Sequence, residues 1–423
     1  MKTNSFKPFV LLWLTQSLSQ LGSTITAFAL SLWLYEKTGS SLSTAALTIC
    51  TYAPYVVMSI FAGALTDRWN KKKTMLVCDS FAALSTLVIF LLYRVGQLSL
   101  WHLYAVNLLS GFMNTVQQPA SEVAMTLLLP RERYQTASAL QSLSRSLVSI
   151  LNPLLATALY AFGGLELVIG LDLGSFLLAS ATLLLAVPIP EAPPTKAEPV
   201  LTLAREGLGF LRRNPMVFTL ILFMSGVNLV ASCFDAILPG FVLPNPRGGQ
   251  AVLGAVSACA GVAMLLGSGL VSLLPKPKNR VRVVYLTMLF SLGTENFLLS
   301  FSREPVLWCL GQIIGYILVP VMSANLNVIL RDSIPLSLQG RVYACRNTFQ
   351  FFTIPIGLFL GGVLVDRVCE PFMAGRREGL LPLLFGTGKG SGAALALFLL
   401  GVGGVTLCLT TGNALKGYSY QDS

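Results

Sequence analysis

The sequence predicts an all-α membrane protein whose twelve transmembrane helices form two six-helix pseudo-repeats. Composition is the first reason: 54% of the 423 residues are hydrophobic and only 11% are charged, where soluble domains carry about a quarter. Spacing is the second, because apolar runs of membrane length recur along the chain between short polar turns. Internal repetition is the third. The basic turn at Gly63 returns at Gly269, Pro130 at Pro335, Arg145 at Arg346 and Pro153 at Pro355, each pair 201 to 206 positions apart.

In chain order the spans fall at about 9–35, 42–65, 74–94, 100–122, 136–161 and 166–187. A second set follows at about 216–240, 250–274, 282–302, 305–329, 340–366 and 392–411. Backbone in lipid must hydrogen-bond within its own segment, so each span is a helix. Lys2 and Lys7 precede the first run as in a signal peptide. That run is too long and lacks a small-residue cleavage site, so it is expected to be retained. Between the sets, Pro188, Pro190, Pro193, Pro194 and Pro199 stop helix propagation. Residues 188–214 are therefore expected to form a cytoplasmic linker, with a short amphipathic helix at 201–213 lying on the membrane surface. The linker separates a bundle at 1–187 from a bundle at 215–423.

With the N-terminus inside, the cytoplasmic turns hold more than twice as many Lys and Arg as the other side. Only Lys37, Arg94, Arg247, Arg303, Arg367, Arg376, Arg377 and Lys389 lie there. Both termini are thus expected in the cytoplasm. The net charge of +11 is spread over separate turns, which argues against a nucleic-acid partner. The eight cysteines are scattered and His102 is the only histidine. That pattern argues against a disulfide framework, a metal site, a cofactor or a histidine-activated nucleophile, so no enzyme activity is expected. No Gly-Lys-Ser/Thr phosphate loop occurs, which argues against ATP hydrolysis by this chain.

The densest signal is residues 63–76, GALTDRWNKKKTML, a charge cluster between two apolar runs. Gly63 permits close helix approach, Asp67 stands at the membrane edge, and Asn70 is expected in a left-handed turn conformation. Arg68, Lys71, Lys72 and Lys73 follow within a few positions. The pattern resembles the turn between helices 2 and 3 of the major facilitator superfamily, Gly-x-x-x-Asp-Arg-x-Gly-Arg-Lys. Asn70 and Lys71 replace its second Gly and the Arg after it. Other segments resemble one branch, the bacterial macrolide-efflux-like facilitators. They are Gly111 with Gln118-Pro119-Ala120, then Gln135-Thr136-Ala137-Ser138-Ala139-Leu140. Gly340-Arg341-Val342 follows, with Pro355-Ile356-Gly357 and Gly361-Gly362, and lastly Gly386-Thr387-Gly388-Lys389-Gly390.

The resemblance covers essentially the whole chain. It implies a monomer in the bacterial inner membrane that exports an amphipathic drug, siderophore or secreted metabolite by alternating access, in exchange for protons. It also implies a substrate cavity lined by spans 1, 4, 7 and 10. Two positions depart from the pattern. Asn107 stands where proton-coupled members carry Arg, and Asn152-Pro153 lacks the glycines common in antiporters. Uptake of a small organic solute is therefore the alternative, with a transport-inactive receptor or scaffold as a third reading.

Three sets of residues carry mechanistic expectations. Asp67 is expected to meet the start of the eleventh span near Arg341, and Glu122 to meet Lys71 or Arg68, closing a cytoplasmic latch around Gly63. Asp79, Arg145, Asp172, Asp235, Glu295 and Arg346 lie deeper in spans. There a charge costs at least ~2.5–3.5 kcal/mol on insertion scales. A carboxylate in a poorly hydrated cavity suits reversible protonation, and Asp235 and Glu295 are the favoured proton carriers. Arg145 or Arg346 would be the partners if the acids are only structural. Polar stripes at helical spacing mark the cavity: Gln16 and Gln20; Asn107, Asn114 and Gln118; Asn228; Gln312, Tyr316 and Asn327. Residues 366–390 are expected to be an outer loop that lies on the membrane.

Overall fold

The computed structural model describes residues 6–129, 133–190, 200–275, 277–416 and 418. Within helices, side chains are outside the described set at 59–68, 126, 135, 138, 139, 200–204, 336, 337, 340 and 344. Helices follow one another from end to end: α1 Lys7–Thr38, α2 Ser41–Arg68, α3 Lys71–Arg94, α4 Leu100–Leu127 and α5 Tyr134–Leu185. They continue as α6 Val200–Arg213, α7 Pro215–Val242, α8 Gln250–Leu273, α9 Arg280–Phe301, α10 Pro305–Ile317 and α11 Val319–Ser333. The chain closes with α12 Leu336–Val363, a π-helical turn Leu364–Cys369, α13 Glu370–Ala374, α14 Leu380–Phe385 and α15 Ser391–Leu415.

Among the described residues, nine helices are long and apolar enough to cross a membrane. The all-helical membrane fold is thus established, while nine falls short of the expected twelve for identifiable reasons. α5 counts once, although Gly163 and Gly164 leave helical geometry within it. α1 and α4 match the others in length, but Gln16, Gln20, Asn107, Gln117 and Glu122 make them more polar. The break between α10 and α11, at Pro320 with its missing amide hydrogen, does not change the count, because Pro305–Ser333 is a single span.

Helix boundaries follow local chemistry. Asn70 is not left-handed: its φ of −65° and ψ of 116° are those of an N-cap, and its Oδ1 accepts from the Lys73 amide at 3.1 Å. Asn279 caps α9 in the same way through the Arg282 amide at 3.1 Å. Lys72 Nζ donates to the Leu184 and Val187 carbonyls at 3.1 and 2.9 Å, satisfying the exposed end of α5.

Contacts divide the chain into two compact units, Met1–Glu36 with Cys50–Val200, and Lys37–Ile49 with Leu201–Ser423. Unit 1 packs Leu12, Met75, Ala120, Ala124, Leu183 and Val187 together. Gly111 brings α4 against α2 so closely that a Cβ there would lie 2.2 Å from the Thr51 carbonyl. Unit 2 is built around α7, where Phe223, Met224 and Val227 meet Met288, Leu292, Met322 and Leu326. α7 and α12 touch through Gly357 and Gly361, where an added Cβ would lie 2.5 Å from the carbonyls of Leu229 and Cys233.

α6 is amphipathic, and its Leu211 is fully buried in the unit 2 core. Gly207 lies against the Arg341 backbone, and Glu206 pairs with Arg341. Two segments sit differently from their sequence reading. The start of α2, as far as Ile49, belongs to unit 2. Residues 366–374 are helical rather than loop, because two acids fix them. Asp366 accepts from Ser40 Oγ at 2.7 Å and from the Ser41 and Leu42 amides at 3.2 and 2.8 Å, capping α2. Glu370 accepts from the Gly390 and Ala393 amides at 2.9 and 3.2 Å, capping α15.

Candidate functional site

Buried charge is the feature that the helices are built to hold. On α3, Asp79 is 1% exposed. Gln16 of α1 donates to one carboxylate oxygen at 3.2 Å and Gln117 of α4 to the other at 2.5 Å. Three helices thus meet on one acid, and both oxygens are satisfied without a cation. Asp172, in the second half of α5, is equally buried. Ser23 of α1 donates to it at 3.2 Å and Thr86 of α3 at 3.5 Å. Gly22 makes this possible, since a Cβ there would lie 3.0 Å from the Asp172 carboxylate.

The second unit repeats the device. Glu295 of α9 is 5% exposed and takes a 3.1 Å bond from Gln312 of α10, which is 1% exposed. Gly315 leaves room for it: a Cβ there would stand within van der Waals contact of the Glu295 carboxylate. Asp235 on α7 is exposed between buried neighbours, Phe234 and Ala236. Arg346 on α12 is half-buried. Its guanidinium donates to Gln350 Oε1 at 3.3 Å and Asn327 Oδ1 at 3.5 Å, while Asn228 Nδ2 binds the Gln350 carbonyl at 3.2 Å. Among the described residues its hydrogen-bond partners are amides.

The remaining candidates are placed as follows. Asn107 accepts from Thr51 Oγ1 at 3.1 Å and donates to the Leu103 carbonyl at 2.8 Å, tying α4 to α2. Gln118 donates to Glu122 at 3.5 Å one turn along α4. Gln20, Asn114 and Arg145 are exposed on their helices. Lys71 is 5% exposed and donates to the Trp69 carbonyl at 3.2 Å. Arg341 pairs with Glu206. Gly63, Asp67 and Arg68, at the heart of the expected latch, lie outside the described side chains.

Several partners were not singled out from the sequence. Gln117 adjoins Gln118, and a step of one residue turns a helix by about 100°, so the stripe containing Asn114 and Gln118 pointed away from it. Ser23, Thr86 and Gln350 are single polar residues in apolar runs, with no spacing signal of their own. Glu206 was hidden in an amphipathic pattern. Among the described residues, no group of three or more His, Cys, Asp or Glu could hold a metal ion.

Comparison with known proteins gives a consistent picture. The family model of the Major Facilitator Superfamily matches residues 12–358. The chain is 25% identical to Macrolide efflux protein A of Streptococcus pyogenes over 378 residues, 87% of this chain and 92% of that one. It is 26% identical to Enterobactin exporter EntS of Escherichia coli O1:K1 / APEC over 285 residues, 66% of each chain. In structure it is similar to a bacterial homolog of the human lysosomal transporter Spinster, in an inward-facing and occupied conformation. The TM-score is 0.73, with 13% identity and complete coverage of both chains.

Proposed function

The chain belongs to the major facilitator superfamily, and from that premise we propose that it is a secondary exporter of a small amphipathic organic compound, exchanging it for protons. It is a multi-pass membrane protein of a transporter family, with relatives named for efflux. The finer reading adds the bacterial inner membrane, cytoplasmic termini, twelve spans and a drug, siderophore or secreted metabolite as cargo.

The observation that carries proton exchange is the set Asp79, Asp172 and Glu295. All three are buried, all are held by amides or hydroxyls, and none has an ion pair among the described residues. A carboxylate in such a cage accepts from every donor around it. Once protonated it keeps acceptor capacity and gains one donor, which an amide or hydroxyl oxygen can receive. Either state is therefore satisfied, and no counter-charge is stranded when the proton leaves. A carboxylate locked to an arginine would resist protonation. Unit 2 also holds an exposed acid, Asp235, in addition to the buried Glu295. The amides and Tyr316 around these acids suit a cargo with both apolar and hydrogen-bonding surface.

Purified protein in proteoliposomes, given an imposed pH gradient, tests this directly. A macrolide, a catechol siderophore and a fluorescent lipophilic cation serve as probes. At least one is expected to move uphill against proton flow and to stop moving when a protonophore is added. Glu295→Gln should keep wild-type abundance and downhill exchange while gradient-driven transport falls to background. Transport indifferent to the gradient removes the proton; movement with the proton rather than against it makes the protein an importer.

A further inference from the structure

We propose that the segment between α13 and α15 forms a phospholipid headgroup site at the membrane boundary, selective for an anionic lipid whose head carries hydroxyl groups. The inference goes beyond the transport reading and depends on neither its direction nor its cargo. A cavity of about 300 Å³ opens here, lined by Arg303, Arg377, Glu378, Pro382, Gly386 and Thr387. That is the lower end of the range for small-ligand sites.

Its depth follows from the helices around it. Arg303 lies in the turn between Phe301, the end of α9, and Pro305, the start of α10. Both flanking segments are candidate spans, so this turn is at the level where lipid headgroups lie. Arg303 donates to the Leu383 carbonyl at 2.9 Å, holding α14 at that same level. The segment is pinned from below by a stack of rings: Phe385 lies 5.7 Å from Phe301 and 5.5 Å from Phe398. Gly379, Gly386, Gly388 and Gly390 all have positive φ, which only glycine adopts freely, so the turns on both sides of α14 are built in.

What α14 exposes is apolar. Leu380 is 69% exposed and Leu383 72%. Two guanidiniums therefore line a cavity with the largely exposed Leu383, at a depth where phosphate lies above acyl chain. Arginine matches phosphate geometrically as well as in charge. Glu378 sets the second requirement. With two arginines and one glutamate the lining carries one net positive charge, complementary to a single phosphodiester, and the carboxylate can accept from a glycerol hydroxyl. A quaternary ammonium head offers no such donor; a primary ammonium does, so preference over phosphatidylethanolamine rests on the net charge of the lining alone.

Native mass spectrometry of the detergent-purified full chain, titrated with phosphatidylglycerol, phosphatidylethanolamine or phosphatidylcholine, tests the site. Phosphatidylglycerol is expected to be retained about five-fold or more above the other two, the preference that one basic residue near a membrane confers. Arg377→Gln should lose about five-fold of that retention, and Arg367→Gln, in the π-helical turn before α13 and outside the cavity, should lose none. Thermal stability without added lipid should be unchanged in both variants, which separates lost binding from lost fold. Equal retention of the three lipids, or wild-type retention by Arg377→Gln, overturns the proposal. So does displacement of phosphatidylglycerol by millimolar glycerophosphate or inorganic phosphate, which would make this a pocket for free anions.

Discussion

At the scale of single residues, Asp79 illustrates how a membrane bundle holds a charge. Its two oxygens are the meeting point of side chains from three helices, so the acid organises α1, α3 and α4 as much as they accommodate it. Removing it leaves two amides without their acceptor. Asp79→Ala should therefore cost about 1–3 kcal/mol for each stranded group, read as a lower unfolding temperature in detergent. If Asp79→Ala unfolds at the wild-type temperature, water has replaced the carboxylate and the three-helix role is wrong. Of this cluster, Gln16 and Asp79 were legible in the sequence because charges and amides stand out in apolar runs. Gln117 was not, because neighbouring glutamines cannot be ranked without knowing which way the helix turns.

At the scale of elements, backbone contact between helices sets what can change. Gly361 faces the Cys233 carbonyl at a distance no Cβ tolerates, whereas Gly403 on α15 faces open space. Gly361→Ala should destabilise by about 1–3 kcal/mol through forced separation of α7 and α12. Gly403→Ala should instead stabilise by roughly 0.5–1 kcal/mol, by restricting the unfolded chain. Melting curves of the two variants, measured side by side, check the opposite signs. Asp366 works on a different principle, as a cap supplied to α2 from far along the chain. Asp366→Ala should cost about 0.5–2 kcal/mol, with faster amide exchange at residues 41–44 as its local signature. Protection unchanged there would remove the cap from the account. The Gly-rich spacing of the eleventh span was visible in the sequence, but its partner was not. The cap lay out of sight altogether, because an acid in an expected loop has no periodic neighbours.

At the scale of the whole molecule, the chain is a facilitator whose two units each bury acids among neutral donors. Orientation belongs to this scale. Single-cysteine variants near each terminus, in a background stripped of the native cysteines, should react with a membrane-impermeant thiol reagent only after the cell is opened. Labelling of one terminus in intact cells would set the ends on opposite faces and break the expectation of twelve spans.

The sequence alone determined that this chain lives in lipid, that it is helical, where most helices begin and end, and which family it resembles. Those properties follow from transfer of residues out of water and from hydrogen bonding along one segment, and both are local. Only the tertiary structure decided which polar residues meet. It paired Gln117 with Asp79, Gln312 with Glu295 and Glu206 with Arg341. It also seated Leu211 of the amphipathic α6 in the unit 2 core. Such choices depend on the rotation and spacing of helices distant in the chain, and neither quantity is written in the pattern of any single segment.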